Sequence, residues 1–420
     1  MAYADANFDH IYDFENPVQE QSLLFGRDGE LATFQQIFKD RLGKLCLVLG
    51  GAHAGKTSFL LTLDAMLTRN LEQRQAPLTL PYYTIPKELE SSDRFFEELV
   101  VGLRGSARDL LGVCSIEERE LVYSSTFRTP KEYLARTIPQ IRDACANKLG
   151  GLLKLVVMID DADALLDQPW RADLFSAIQS MFAIGSNYRA DLVLILAGAQ
   201  PLFAAANQEA AFRSLAPRQI RLSDLSPEAT QAMIQTPLAP AQLAPQFLSS
   251  VYGQTGGHPF LTKYLMANLY TPELPLANPA PEQVNQNARD LVRQDETVRQ
   301  LFNDWGNSCG ENGRWIYRLL LEAGGKLGHG EILQRTTGFI QPPIDPVLDM
   351  LCCHGLVTRM VDGTETYAIA GDMFAEWFRN NIYPGQQPPQ AAVAAHVTNI
   401  FAPVLGPLHT GSGDINVEKA

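Results

Sequence analysis

The chain has 420 residues, enough for two to four domains, and its composition of 46% hydrophobic and 19% charged residues is typical of a globular protein. No apolar run is long enough to span a bilayer, and six cysteines without metal-ligand spacing predict reduced thiols in a cytoplasmic protein. The net charge of −13 argues against broad electrostatic binding to nucleic acid but does not exclude a local basic patch.

The N-terminal part of the chain leads into a predicted buried strand. After an irregular acidic lead-in at 1–22, a turn at 25–27 enters a helix that ends near Phe38. The apolar run 45–49 follows, and an unbroken apolar run of this length is typical of a strand covered on both faces of a parallel sheet.

A phosphate-binding loop comes directly after this strand. The P-loop pattern G-x-x-x-x-G-K-[ST] matches the run Gly50, Gly51, Ala52, His53, Ala54, Gly55, Lys56 and Thr57. A helix is predicted from Ser58, and the strand–loop–helix context is what the motif requires. Backbone N–H groups of such a loop face phosphate oxygens. We expect Lys56 to reach the β- and γ-phosphates and the Thr57 hydroxyl to bind Mg²⁺.

Two further apolar strands end in polar residues. The run 155–159 is followed by Asp160, which we assign to the hydration shell of Mg²⁺, and by Asp161, which can polarise the attacking water. Because aspartate is one methylene shorter than glutamate, we expect slow hydrolysis. The strand 191–198 leads to Gln200, which is either a sensor of the γ-phosphate or a solvated loop amide.

The alternation of strands and helices predicts an α/β P-loop NTPase, with a parallel sheet flanked by helices. Pro81 places the strand candidate 78–85 at an edge or a bend. An all-α lid and a winged-helix domain, made of three helices and a hairpin, are predicted to follow. The expected boundaries are a lead-in at 1–22, an ATPase core at 23–225 with a helical insertion at about 87–150, a helical lid at 226–305, a winged helix at 306–383, a linker at 384–392 and an interaction tail at 393–420.

The predicted winged helix is acidic. Residues 315–382 contain eight acidic and five basic side chains, and the candidate recognition helix 344–354 has two aspartates and neither lysine nor arginine. A nucleic acid duplex would repel this surface. We therefore expect the winged helix to pack on the ATPase core as a lid, and we do not expect DNA as a partner.

The tail at 397–417 holds short β-branched and apolar runs, glycine turns and almost no charge. This composition favours strand addition or cross-β stacking, which Pro403 and Pro407 would restrict to 410–417. A terminus that is merely mobile is the alternative interpretation.

In this order the elements resemble the STAND branch of AAA+-like P-loop ATPases, which are signal-transducing ATPases related to NLR immune sensors. The resemblance covers about 23–382. It rests on the P-loop and on the segments 25–27, 159–161, 222–226 and 256–259.

The resemblance implies residue roles at a site for ATP or ADP. Phe25 to Arg27 would line one side of the base, and Pro259 of the Gly-x-Pro turn would pack on the adenine. Arg213 or Arg218 stands where such proteins often carry an arginine finger, and a surface charge is the alternative for each. The expected catalytic residues are Lys56, Asp160, Asp161 and Arg213. The remaining expected nucleotide contacts are Phe25, Gly26, Arg27, the loop residues up to Ser58, Gln200, His258 and Pro259.

The resemblance also implies a function. ADP would hold core, lid and winged helix in a closed monomer, and exchange for ATP would allow homo-oligomerisation, with hydrolysis resetting the switch. No effector domain or sensor repeat is recognisable in the sequence, so we expect a separately encoded effector, recruited through 397–417, in bacterial defence or stress signalling. The alternatives are a DNA-associated AAA+-like ATPase of the origin-binding or transposition-helper type and a scaffold with an inactive nucleotide site.

Overall fold

A computed structural model describes residues 12–39, 44–76, 78–86, 91–112, 130–151, 153–182, 192–208, 217–238, 243–269, 280–340 and 344–383. The expected linker and tail at 384–420, and Arg213, lie outside these residues. Within the described part of the chain, no helix combines the length and the apolar character needed to cross a membrane.

Five parallel strands form the central sheet, in the order β2-β3-β4-β1-β5. The strands are β1 (Leu45–Leu49), β2 (Leu78–Thr84), β3 (Leu153–Ile159), β4 (Leu192–Gly198) and β5 (Arg218–Arg221). The predicted parallel sheet is confirmed, and β2 is an edge strand as Pro81 indicated. Because all strands run the same way, the P-loop after β1 and the carboxylates after β3 meet at one edge of the sheet.

Helices cover both faces of this sheet. They are α1 (Asp28–Lys39), α2 (Lys56–Glu72), α3 (Ser92–Leu111), α4 (Pro130–Leu149), α5 (Arg171–Phe182) and α6 (Gln200–Gln208). Residues of β1 alternate between two apolar clusters: Val48 packs with Phe34 and Phe59, and Leu47 belongs to the cluster of Phe96. This double burial explains why the strand is apolar at every position.

Two elements of the core were not predicted. The short edge strand β5 buries only Ile220 among its four residues, so it shows no apolar run. Gln200 begins α6 rather than lying in a loop. Both segments are short, and their conformation depends on pairing with β1 or on packing. Hydrophobic periodicity predicts secondary structure least reliably in segments of this kind.

The described part of the lid contains five α-helices: α7 (Pro227–Gln235), α8 (Pro245–Thr255), α9 (Pro259–Leu269), α10 (Pro281–Gln294) and α11 (Glu296–Ser308). Ser226 caps α7, since its side chain accepts the backbone N–H of Ala229 at 3.2 Å. The last two helices meet at Asp295, whose carboxylate accepts the N–H of Val298 at 2.9 Å and caps the start of α11.

The winged-helix region contains the predicted three helices and hairpin, together with a closing helix and one more strand. Its elements are α12 (Gly310–Glu322), β6 (Lys326–Gly328), α13 (His329–Thr336), α14 (Asp345–Cys353), β7 (Val357–Asp362), β8 (Thr364–Ile369) and α15 (Asp372–Asn381). The unpredicted β6 pairs with β8. One apolar cluster joins this region to the lid, with Phe302 and Trp305 of α11 packed against Phe374 and Trp377 of α15.

The lead-in lies against the lid and the core. Tyr12 donates its hydroxyl hydrogen to the Ile234 carbonyl at 2.8 Å, and the Phe14 ring lies 4.8 Å from that of Tyr264. Farther along, the N–H of Val18 donates to the hydroxyl oxygen of Ser58 in α2 at 3.0 Å. The segment predicted as irregular therefore connects lid and core.

Two glycine-to-alanine substitutions test how closely the lid approaches the core. Gly257 has φ +81°, and a Cβ there would overlap the backbone carbonyl of Leu225. We expect Gly257→Ala to destabilise the protein by more than the ~1–2 kcal/mol that left-handed backbone alone costs a residue with a Cβ. Gly253→Ala is the matched control: its added methyl meets nothing within 4 Å in α8 and should stabilise by about 0.5–1 kcal/mol. Urea unfolding followed by circular dichroism checks both, and equal midpoints would contradict the close approach.

Candidate functional site

The P-loop closes tightly over the side chain of its own lysine. The N–H of Gly50 donates to the Gly198 carbonyl at 3.2 Å, and Gly55 adopts φ +91° where α2 begins. The Lys56 ammonium donates to the carbonyls of Gly50 at 3.0 Å and Gly51 at 2.7 Å. Burial lowers the pKa of Lys56, and the carboxylates of the Asp160 to Asp163 segment oppose that shift. The lysine thus lies between the loop and these carboxylates.

The two carboxylates expected after β3 have different surroundings. Asp160 is buried and accepts the hydroxyl hydrogen of Tyr83 at 3.0 Å and the N–H of Asp161 at 2.9 Å. Asp161 is exposed and has φ +50°, a left-handed conformation that aspartate tolerates better than most residues. One carboxylate is therefore fixed in place and the other faces solvent.

The donor set around Lys56 fits Mg²⁺. The Asp160 carboxylate and the Thr57 hydroxyl, the expected metal ligands, are hard oxygen donors. No cluster of three or more His, Cys, Asp or Glu with ligand geometry occurs among the described residues. Mg²⁺ usually takes one or two carboxylates, with substrate phosphates and water completing its shell, so this sparse set suits a nucleotide-bound Mg²⁺.

Asp163 is a site residue that the sequence analysis missed. Its carboxylate accepts the backbone N–H of Ala199 at 2.6 Å and that of Leu202 at 2.8 Å, so it ties the turn after β3 to the N-terminus of α6. Burial raises the pKa of Asp163, and the two N–H donors oppose the rise. The only sequence signal was a third aspartate in the run 160–163.

The lid touches the P-loop through His258. This side chain is buried, and its Nε2 lies 3.1 Å from the Ala52 carbonyl oxygen, which can only accept, so Nε2 carries the hydrogen. Its Nδ1 accepts the N–H of Leu261 at 3.4 Å. Burial lowers the pKa of His258 to about 3, which keeps the ring neutral. Pro259 opens α9.

The winged helix contacts the same loop. A Cβ on Gly51 would lie 2.9 Å from Cα of His354, the residue that follows α14. Within α14, the Asp349 carboxylate accepts hydrogen bonds from both terminal nitrogens of Arg221, at 3.3 and 3.4 Å. Cys353 of the same helix belongs to an apolar cluster that includes strands of the central sheet. The expected packing of the winged helix on the ATPase core is observed, and it uses the candidate recognition helix.

The residues Phe25 to Arg27, which are expected to line the adenine base, lie partly at the surface and partly in the interior. Phe25 and Gly26 border an open cleft beside the start of α7, and a Cβ on Gly26 would lie 2.6 Å from that of Ala229. Arg27 is buried instead, and its guanidinium donates to the carbonyls of Ser223 at 2.5 Å and Ala54 at 3.5 Å. Arg27 thus holds the P-loop to the segment that leads into the lid.

The remaining candidates lie in different places. The hydroxyl of Ser58 is occupied by the N–H of Val18. Gln200 stands at the first position of α6, at the carboxyl end of β4. Arg218 is exposed on the edge strand β5. Arg213, the other arginine-finger candidate, lies outside the described residues.

Comparisons with known proteins agree with this fold. A family model described as "AAA domain" matches residues 40–204. The Walker-type ATPase of Pyrococcus abyssi is similar in structure, with a TM-score of 0.55 at 13% identity, covering 88% of this chain and 99% of its own. No curated protein matches the sequence.

Two further solved structures are similar at lower scores. The ORC2 protein of Aeropyrum pernix, in ADPNP-ADP complexes, has a TM-score of 0.49 at 14% identity, covering 88% of this chain and 96% of its own. The ORC1 protein of the same organism, in complex with DNA, has a TM-score of 0.41 at 14% identity, covering 89% and 96%. The P-loop NTPase fold rests on the family model and on the Pyrococcus abyssi structure, and similarity at 13% identity assigns no activity.

Asp163 offers a test of how the site is held together. In Asp163→Asn, an amide NH₂ group replaces one of the two oxygens that accept a backbone N–H. That NH₂ group then faces a backbone N–H, so two hydrogen-bond donors oppose each other. We expect a loss of about 1–3 kcal/mol in the free energy of unfolding. The exposed Asp167→Asn, in the same turn region, is the control and should change stability by less than about 0.5 kcal/mol. Equal urea midpoints for the two variants would show that the link between β3 and α6 is not structural.

Proposed function

We propose that this protein is an ATP/ADP-controlled switch of the STAND type. It is a closed monomer with ADP and a homo-oligomer with ATP, and it recruits a separately encoded effector through 397–417 in bacterial defence or stress signalling. The observation that carries the proposal is that two adjacent P-loop residues meet two other parts of the chain. Ala52 is bonded by His258 of the lid, and Gly51 abuts His354 of the winged helix.

This arrangement can couple nucleotide identity to conformation. A ligand shifts an equilibrium only by binding the two states with different affinity. Lys56 bonds the carbonyls of Gly50 and Gly51, and a γ-phosphate competes for the same ammonium. Any movement of those carbonyls changes the backbone on which the lid and the winged helix rest. ATP and ADP would then favour different positions of the lid and winged helix.

The proposed activity is slow, Mg²⁺-dependent ATP hydrolysis that resets the switch. Thr57 and Asp160 would hold the ion, which when bound offsets charge on the β- and γ-phosphates. Lys56 binds the phosphates, Asp161 orients and deprotonates the attacking water, and Arg213 is the proposed trans-acting arginine. Asp161 is suited to the role of base because it is the solvent-facing carboxylate of the pair.

The alternative of a DNA-associated ATPase would require α14 to leave the core. In the closed form this helix is bonded through Asp349 to Arg221 and buried at Cys353. The helix α14 also contains no lysine or arginine that could bind the phosphates of DNA. The switch is therefore the function that the geometry supports better.

Nucleotide-dependent assembly is the main test. We expect the ADP-loaded protein to elute as a monomer and the protein with a non-hydrolysable ATP analogue as a larger species, measured by size-exclusion chromatography with light scattering. Lys56→Ala should abolish the difference because it removes the phosphate contact, whereas Lys39→Ala at the exposed end of α1 should preserve it. An unchanged mass with both nucleotides would refute the switch, and salt-dependent duplex binding in the same samples would favour the alternative.

The assignment of Asp161 predicts a separation of binding from turnover. Asparagine accepts left-handed backbone as readily as aspartate, so Asp161→Asn should fold normally. We expect nucleotide affinity to stay within about twofold and the ATPase rate to fall at least about 100-fold, the usual effect of losing a general base. Phosphate release in the presence of Mg²⁺ measures the rate. Turnover at the wild-type rate would show that another group activates the water.

A further inference from the structure

Two adjacent tyrosines of β2 face opposite sides of the central sheet. Tyr82 packs against the apolar cluster that contains Phe96, and a Cβ on Gly102 of α3 would overlap its ring. Tyr83 packs against the other apolar cluster, on the face that α2 covers. Successive side chains of a strand point to opposite faces, so only Tyr83 lies on the side of the helix that begins at the P-loop.

The hydroxyl group of Tyr83 meets the carboxylate of Asp160. Its oxygen lies 3.0 Å from Oδ2, and the tyrosine is the donor because a carboxylate offers only acceptors. The second carboxylate oxygen, Oδ1, accepts the N–H of Asp161 at 2.9 Å. The backbone N–H of Asp160 donates to the Thr84 carbonyl at 2.9 Å, which extends the pairing of β2 with β3 by one residue. The main chain and the side chain of Asp160 are therefore both fixed.

The two hydrogen bonds determine how the Asp160 carboxylate is turned. A carboxylate has about four lone-pair sites, and these bonds take one on each oxygen. Rotation about the Cβ–Cγ bond would break both bonds in a residue that is only 4% exposed, where water cannot readily replace them. The remaining lone-pair sites are hard oxygen donors, which Mg²⁺ prefers. The hydroxyl of Tyr83 thus fixes the direction in which these sites point.

Packing alone does not require a hydroxyl group at position 83. The cluster against which the Tyr83 ring packs consists of apolar residues, among them Phe59 and Met158, and phenylalanine would fill the same space. A purely structural role for the hydroxyl is to offset the burial of the Asp160 carboxylate. A structural role and a role in metal binding predict different responses to Mg²⁺, so an experiment can separate them.

We propose that Tyr83 is a positioning residue for Mg²⁺, which orients the Asp160 carboxylate from the neighbouring strand toward the ion that accompanies the nucleotide. The inference rests on the proposed nucleotide site and deepens it, because it adds to that site a residue outside the P-loop and outside the segment after β3. Groups that hold a metal ligand by a hydrogen bond contribute about 10–100-fold to metal affinity. The edge strand β2 thereby takes part in metal binding.

The test compares Tyr83→Phe with Tyr82→Phe, which remove the same hydroxyl group from adjacent positions on opposite faces of the sheet. Calorimetry gives the affinity for a non-hydrolysable ATP analogue in EDTA and in saturating Mg²⁺, and the ratio of the two affinities is the gain due to Mg²⁺. For Tyr83→Phe we expect wild-type affinity in EDTA and a gain that is about 10–100-fold smaller. Tyr82→Phe should show the wild-type gain.

A double-mutant comparison tests whether Tyr83 acts through Asp160. In the Asp160→Asn background, Tyr83→Phe should not reduce the gain further, because the group that the hydroxyl orients no longer binds the ion. Thermal melting of the nucleotide-free proteins measures the structural contribution separately. The inference would be overturned by a lower melting temperature of Tyr83→Phe with the same gain as Tyr82→Phe, or by equal effects of Tyr83→Phe in the two backgrounds.

The outcomes separate this inference from the proposed function. If wild-type protein assembles differently with the two nucleotides while Tyr83→Phe keeps the wild-type gain, only the role of Tyr83 is refuted. If wild-type protein binds the analogue equally well with and without Mg²⁺, the metal role of Asp160 and this inference are refuted together. If wild-type protein binds no nucleotide, the proposed function itself fails.

Discussion

The lid and the winged helix both meet the ATPase core at two peptide units of the P-loop, at Gly51 and Ala52. The P-loop pattern requires glycine at positions 50 and 55 and leaves 51 free. Here position 51 has no room for a side chain, since a Cβ would lie 2.9 Å from His354 Cα. A position that phosphate binding leaves unconstrained is thus constrained by the winged helix. The loop whose sequence predicts phosphate binding therefore also serves as a docking surface.

The forces that hold the winged helix on the core are suited to an interface that opens. The Arg221–Asp349 pair is the main ion pair between α14 and β5, but both side chains are partly exposed, 41% and 28%, so it contributes little stability. The apolar contact at Cys353 and the close backbone packing at Gly51 contribute more of the stability of this interface. Neither includes a buried charge pair, whose disruption would be costly. In the proposed switch, modest differences in phosphate contact would compete with these contacts.

The sequence predicted those parts of the fold and site that short segments encode. Apolar runs gave β1, β3 and β4, and the P-loop was recognised because its residues are contiguous. The roles of Asp163 and His354 could not be predicted in this way. Asp163 accepts a hydrogen bond from Ala199, which is 36 residues away in the sequence. His354 packs against Gly51, and most of the core and the whole lid lie between them in the sequence. Such contacts depend on how elements pack, and periodicity carries no information about them.

The shared core of lid and winged helix determines how the two contacts with the P-loop behave. Phe302 and Trp305 of the lid interlock with Phe374 and Trp377 of the winged helix, and the His258 ring lies 4.9 Å from that of Trp305. Closely packed interiors resist internal deformation, so these two parts are expected to move as one body. The contacts at Ala52 and Gly51 are then gained or lost together. A small displacement of the loop would in this way give an all-or-none response.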